Sequence, residues 1–200
     1  YQQTNLKRLL AYSSIAQVGY IMIGVSVFST GGLAGAVMHI INHALVKASL
    51  FLTAGIFILR LGIEEIADLE GIGYKLPETS FTFTVSAVII IGLPPFNCFI
   101  SKWLIAKAAL AKNHLLPAGS ILLGSILALG YYLRVITILY TKQKPVKKRI
   151  AAGKLEIVPL LLAGFCFLLG VAPGLSLQLV ERIPKFILEP SNYYGILLGG

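Results

Sequence analysis

Long apolar runs separated by short polar stretches divide the chain into about five segments of membrane-spanning length. A bilayer core of about 30 Å needs roughly 20 apolar residues in a helix. The first segment covers about 9–28 and ends at the polar turn Ser29-Thr30-Gly31-Gly32; the second covers about 33–59. Residues 60–78 form an acidic loop, with Glu64, Glu65, Asp68, Glu70 and Glu78 against Arg60 and Lys75. The third segment, about 79–111, is long and is interrupted at Gly92 to Pro95. The fourth spans about 115–140, a basic loop follows, and the fifth spans about 155–175, closed by Pro173-Gly174. Leu175 to Ile187 mixes apolar residues with Glu181, Arg182 and Lys185, as a short interfacial helix would. The expected fold is an all-α, polytopic transmembrane bundle with one proline-broken helix.

Composition agrees with this pattern. Of 200 residues, 56% are hydrophobic and 12% charged, about half the charge of a soluble domain. Mean hydropathy is +0.83. The net charge of +9 raises the question of nucleic acid, but much of it lies in one run, Lys142 to Lys154, and no nucleic-acid-binding motif accompanies it. In a membrane protein such a run marks a cytoplasmic loop. With the N-terminus on the same side, that side also holds Lys7, Arg8, Arg60 and Lys75, against Lys112, Arg182, Lys185 and Lys107 elsewhere. The chain is thus expected in the cell membrane with loop 142–154 cytoplasmic and, after an odd number of spans, its C-terminal end outside. Tyr1-Gln2-Gln3-Thr4 leads straight into Asn5-Leu6-Lys7-Arg8 without an initiator methionine, as in a portion of a longer protein. Cys98 and Cys166 form no CxxC and define no disulfide framework.

Ionisable residues inside the apolar segments carry the chemistry. His39, His43 and Lys47 stand at i, i+4 and i+8 in the second segment, so they share one broad helix face, with Asn42 beside them. Such a column suits a proton relay; the histidines can equally serve as hydrogen-bonding groups between helices. The His-x3-His spacing also suits metal ligation, but no Cys, Asp or Glu completes a site in this segment, and no metal is expected. Lys102 follows the break by about two turns, with Ser101 beside it and an apolar run continuing beyond. Proline donates no backbone hydrogen bond, so Pro94 and Pro95 leave carbonyls one turn earlier without partners, and Gly92 loosens the same place. At membrane depth those carbonyls need protein or water. The rival reading is that Lys102 snorkels to the interface, the role expected of Lys107. Two buried lysines on one path would repel, so the charge on one would alter the proton affinity of the next. Arg134 is read as structural, pairing with the 60–78 loop or with headgroups. Tyr12, Ser13, Ser14 and Gln17 either bond to neighbouring helices or line water. No catalytic triad, phosphate-binding glycine loop, Fe–S or haem motif is present, so no catalytic residue and no cofactor is expected.

Four stretches resemble the antiporter-like membrane subunits shared by respiratory complex I, Mrp-type Na⁺/H⁺ antiporters and membrane-bound hydrogenases. They are Asn5-Leu6-Lys7-Arg8-Leu9-Leu10-Ala11-Tyr12-Ser13-Ser14 through Gly19-Tyr20, His39 through His43-Ala44-Leu45-Val46-Lys47-Ala48-Ser49-Leu50-Phe51-Leu52, Asp68-Leu69-Glu70-Gly71-Ile72-Gly73, and Gly92-Leu93-Pro94-Pro95 through Ser101-Lys102-Trp103. The resemblance implies two inverted five-helix repeats in the full protein, of which this chain resembles the second. Residues 1–141 would be the translocating repeat, and 142–200 the basic loop, last transmembrane helix and tail. It implies a proton relay through Lys47, Lys102, His39 and His43, with Gly92, Pro94 and Pro95 forming the break and Lys102 exchanging protons with the outside. The Ser-Lys-Trp ending leans toward the Mrp and hydrogenase-linked branches. Asn97-Cys98 departs from the family's small-residue-then-glycine pair.

The implied protein is a non-catalytic membrane subunit of a redox-driven complex or Mrp antiporter. Its partners are other membrane subunits, the lipid bilayer and protons, with Na⁺ exchanged in some members. Two rivals stay open: a passive structural subunit, and a standalone solute or metal transporter using His39 and His43.

Overall fold

The computed structural model describes residues 2–141, 150, 153–180 and 182–188. Most of the basic run, Lys142 to Arg149, lies outside them, as does Glu181. The described residues form helices and no strand beyond an isolated bridge between Asn5 and Glu65. Asn5 caps α1 (Leu6–Ser26) by accepting the Arg8 amide at 3.1 Å, and Ser29 caps α2 (Thr30–Leu61) by accepting the Gly32 amide at 3.2 Å. At 32 residues, α2 is about 48 Å long. It is the hub of the bundle, packing against α1, α4 (Pro77–Ile91), α5 (Asn97–Ala111) and α7 (Ile157–Val171). Helix α6 (Leu115–Tyr140) closes the bundle against α4 and α5. Among the described residues, four helices are long and apolar enough to cross a membrane. Helices α4 and α5, 15 residues each, reach only about 22 Å apiece and make one crossing together, so the expected five spans stand.

The acidic loop is not the plain solvated connection its charges suggest. It holds a 3₁₀ turn at Ala67–Leu69 and a short α3 (Ile72–Lys75). Glu64, Glu65 and Asp68 are exposed, while Ile66, Leu69, Ile72 and Leu76 are buried in the main core. The Thr4 carbonyl accepts the Ile66 amide at 2.7 Å, and the Ile138 carbonyl accepts the Gly71 amide at 3.2 Å. Gly73 approaches the end of α6 so closely that a Cβ there would meet the Leu139 carbonyl oxygen at 2.7 Å. The Asp-Leu-Glu-Gly-Ile-Gly stretch thus pins α6 to the loop.

The last apolar segment ends sooner than residue 175. Helix α7 stops at Val171 because the residue before Pro173 disfavours helical geometry. Pro173 instead opens α8 (Pro173–Val180), followed by α9 (Arg182–Leu188). These helices are not simply interfacial. Val180 is buried with Ala34 and Met38 of α2, so the stretch packs onto the start of the hub helix.

Candidate functional site: a buried lysine–histidine line

The break in the third span is built by three residues. Gly92 ends α4 with φ +86°, a left-handed geometry that only glycine adopts freely. Pro94 and Pro95 follow, joined by a cis bond. In an unbroken helix, the amides of residues 94 and 95 would bond to the carbonyls of Ile90 and Ile91, but proline has no N–H to give. Lys102 supplies it. Its ammonium donates to the Ile91 oxygen at 2.9 Å, the Ile90 oxygen at 3.0 Å and the Ser125 hydroxyl of α6 at 3.2 Å. It also lies 4.9 Å from the centre of the Tyr20 ring. Carbonyls at a helix C-terminus carry partial negative charge, which complements a cation. A Cβ on Gly92 would sit 3.0 Å from the Lys102 side chain and press on it, in addition to the strain of the positive φ. Lys102 is only 4% exposed, which rules out snorkelling, whereas Lys107 is exposed as a snorkelling residue should be. A cleft of about 440 Å³ beside Gly92, Lys102, Trp103 and Ser125 opens toward this site.

Lys47 is 5% exposed and is held by a different set. Its ammonium donates to the Leu10 carbonyl at 2.8 Å, the Ser13 hydroxyl at 2.5 Å and the Tyr132 hydroxyl at 3.4 Å. Ser13 and Tyr132 are themselves joined at 2.8 Å. Ser13 also lines a cleft of about 550 Å³ with Gln2, Gln3, Tyr12 and Tyr131, so one hydroxyl separates Lys47 from it. Of Tyr12, Ser13, Ser14 and Gln17, Ser13 and Gln17 therefore bond to neighbouring helices, Ser14 bonds to its own helix at Leu10, and Tyr12 is exposed at the cleft. Arg134 donates to the Gln3 carbonyl at 3.3 Å.

The histidines lie between the lysines. His39 is fully buried, with Nε2 3.0 Å from the Gln17 Oε1 and Nδ1 2.8 Å from the Ser101 hydroxyl. Ser101 can also donate to the Cys98 carbonyl at 3.1 Å. Two proton arrangements fit without moving a heavy atom. Neutral His39 donates from Nε2 and accepts the Ser101 proton at Nδ1. Protonated His39 donates from both nitrogens, and the Ser101 proton swings to Cys98. His43 stacks on His39 with ring centres 6.5 Å apart, and Tyr20 touches His39 edge-on at 6.0 Å while facing Lys102. Lys47 and His39, on the same face of α2, thus meet different neighbours, and Tyr20 brings His39 and Lys102 together. With both His39 nitrogens engaged, a His39–His43 metal pair would first have to break one of these hydrogen bonds.

Sequence reading does not single out Gln17, Tyr20, Ser13, Tyr132 and Ser125 as the partners of His39 and the lysines; all five lie on α1 and α6, whose contacts with α2 and α5 no spacing rule predicts. It also treats Asn97 as a departure. Asn97 is fully buried: its Nδ2 donates to the Asn42 Oδ1 at 2.9 Å, its Oδ1 accepts the Cys98 amide at 2.9 Å, and its carbonyl accepts from Asn42 at 3.1 Å. The pair fixes the start of α5 onto α2. Asn97→Ala leaves the Asn42 oxygen and the Cys98 amide short of partners. Stability should fall by about 1–3 kcal/mol, read as an earlier thermal unfolding transition in detergent.

Residues 1–128 match the family described as NADH:quinone oxidoreductase/Mrp antiporter, transmembrane. The chain belongs to this family. Among relatives, it is 40% identical over 143 residues to NADH-quinone oxidoreductase subunit N of Desulforudis audaxviator, covering 72% of this chain and 28% of that protein. It is 30% identical over 194 residues to a Na(+)/H(+) antiporter subunit of Alkalihalophilus pseudofirmus, covering 96% of this chain and 39% of that protein. The chain therefore spans well under half the length of these relatives of the NADH:quinone oxidoreductase/Mrp antiporter family. A chain of the membrane-bound sulfane sulfur reductase, an archaeal respiratory membrane complex, superposes with a TM-score of 0.90 at 38% identity, over 96% of this chain and 39% of that one. The Mrp complex from Dietzia sp. DQ12-45-1b shares the fold, with a TM-score of 0.88 at 24% identity over 96% of this chain and 44% of that one.

Proposed function

We propose that this chain carries protons through the membrane along Lys47, His43, His39 and Lys102, as part of a larger antiporter-like subunit. The observation that carries the reading is Lys102. A lysine costs about 2.5–3.5 kcal/mol at the centre of a membrane helix, and here the chain breaks a second stretch of helix to hold one. Its ammonium replaces the two amides that Pro94 and Pro95 lack. A structural subunit would gain more from an unbroken apolar helix. His39, with its two proton arrangements, links the lysines without any helix movement.

The relatives supply the context. They are subunits of NADH-quinone oxidoreductases and a Na(+)/H(+) antiporter, so the whole protein would work beside other membrane subunits, which supply the driving force, without being their catalytic subunit. Na⁺ exchange fits the antiporter relative and is part of the same proposal. Residues 1–141 would form the translocating repeat and 142–200 the loop, last transmembrane helix and tail. Loop 142–154 would face the cytoplasm by the positive-inside rule, since the span count puts Lys7, Arg8, Arg60 and Lys75 on the same side as its own lysines.

His39→Asn tests the link between the lysines. Asparagine keeps a hydrogen-bonding group but takes up no proton. In proteoliposomes holding the whole complex, proton uptake should fall by roughly tenfold, about 1.4 kcal/mol of barrier, with subunit content unchanged. Uptake equal to that of the unaltered protein would remove His39 from the path.

A further inference from the structure

A second polar column lies on the other side of α2, away from the lysine–histidine line. On α2, Ser49, Thr53 and Arg60 fall within about 40° of one another around the helix axis, and on α4 Thr79, Thr82 and Ser86 fall within about 60°. All but Arg60 are nearly or fully buried. The stripes meet where the Ser49 and Ser86 hydroxyls lie 2.8 Å apart and Ser49 donates to the Pro159 carbonyl of α7 at 2.8 Å.

The column has two chemically distinct ends. At the end bearing the 62–76 loop stands Glu156, the one buried carboxylate among the described residues. It pairs with Arg60 at 3.0 Å and accepts the Gly153 amide at 2.8 Å. At the other end, Ile90 follows Ser86 by four residues of α4, about 6 Å along the axis, a gap that bridging water would have to fill. The Ile90 carbonyl is an acceptor for Lys102. Tight packing alone would favour alanine or valine along this seam. Instead, the Thr79 hydroxyl is buried, lies on the stripe, and has no hydrogen-bond partner among the described residues. An orphaned buried hydroxyl costs about 1–3 kcal/mol and needs water or another polar guest.

We propose that this column is a second, hydratable proton path, running from Glu156 between α2, α4 and α7 to Lys102 without passing through Lys47. Each hydroxyl or water takes a proton on its oxygen and passes its own to the next, so the path carries charge with no net chemical change. It rests on the reading of Lys102 as a proton-exchanging residue and adds a separate supply from the loop end.

The test reads access rather than transport, so it stands apart from the fate of the Lys102 proposal. Thr79→Cys, Ser86→Cys and Ala87→Cys are made in the full-length protein within its complex. Ala87 is a buried neighbour off the stripe. Membrane vesicles of each orientation are exposed to Ag⁺, a small thiol-reactive cation, and surviving thiols are counted after denaturation against the unsubstituted background of Cys98 and Cys166. Thiols at 79 and 86 should react at least about tenfold faster than that at 87 when Ag⁺ is added on the side of the 62–76 loop. Equal rates at all three positions, or reaction only from the opposite side, would overturn the proposal. Should Ser86→Cys fail to assemble, Thr53→Cys takes its place under the same criteria.

Discussion

Lys102→Ala is expected to lower proton transport by more than about tenfold while the complex still assembles. The two halves of this result have separate causes. Assembly survives because two changes in stability oppose each other. Removing the lysine spares about 2.5–3.5 kcal/mol of membrane cost. It also leaves the Ile90 and Ile91 carbonyls without their donor, at about 1–3 kcal/mol each. The neighbouring cleft gives water a way to those oxygens, which limits the loss. Transport fails because alanine can neither take up nor release a proton, and Ser125 and Tyr20, the remaining groups around the position, hold no comparable base. Proton uptake into proteoliposomes, set against subunit content on a native gel, separates the two outcomes.

Lys47 gives the second large effect. Lys47→Ala removes the donor to the Leu10 carbonyl and leaves Ser13 and Tyr132 joined to each other, so the local structure should hold. Transport should again fall by about tenfold or more. Lys47→Arg is the sharper variant. A guanidinium keeps the positive charge but does not lose its proton, so a relay stops while an electrostatic role continues. Both variants are expected to be slow in the same assay. Transport that persists with arginine and fails with alanine would mean that Lys47 acts through its charge.

Much of this site was visible in the sequence, for identifiable reasons. A lysine in an apolar run is conspicuous, and two prolines dictate which carbonyls lose their amides. What the sequence did not show is that Lys102 is the replacement donor. That depends on how α5 folds back past the end of α4, which is tertiary. The shared face of His39, His43 and Lys47 followed from helical period, but their partners did not. In a membrane bundle, lipid-facing and core-facing positions are both apolar, so hydropathy gives little sign of which face meets which neighbour. Tyr20 and Tyr132 look alike in sequence, yet Tyr20 touches His39 and Lys102 while Tyr132 holds Lys47. The buried side of the 62–76 loop was masked by its acidic residues, and the end of α7 was placed a few residues late because Pro173 both ends that helix at Val171 and opens a new one. Asn97 looked like a departure from the family's small-residue-then-glycine pair and is a clasp between α2 and α5.

The central claim is that a proton passes through the Lys102 amine. Lys102→Arg tests it most directly, because arginine preserves the charge and the donors to the Ile90 and Ile91 carbonyls but does not release its proton. In proteoliposomes of the whole complex, proton uptake by this variant should be as low as that of Lys102→Ala. Uptake at the level of the unaltered protein would contradict the account.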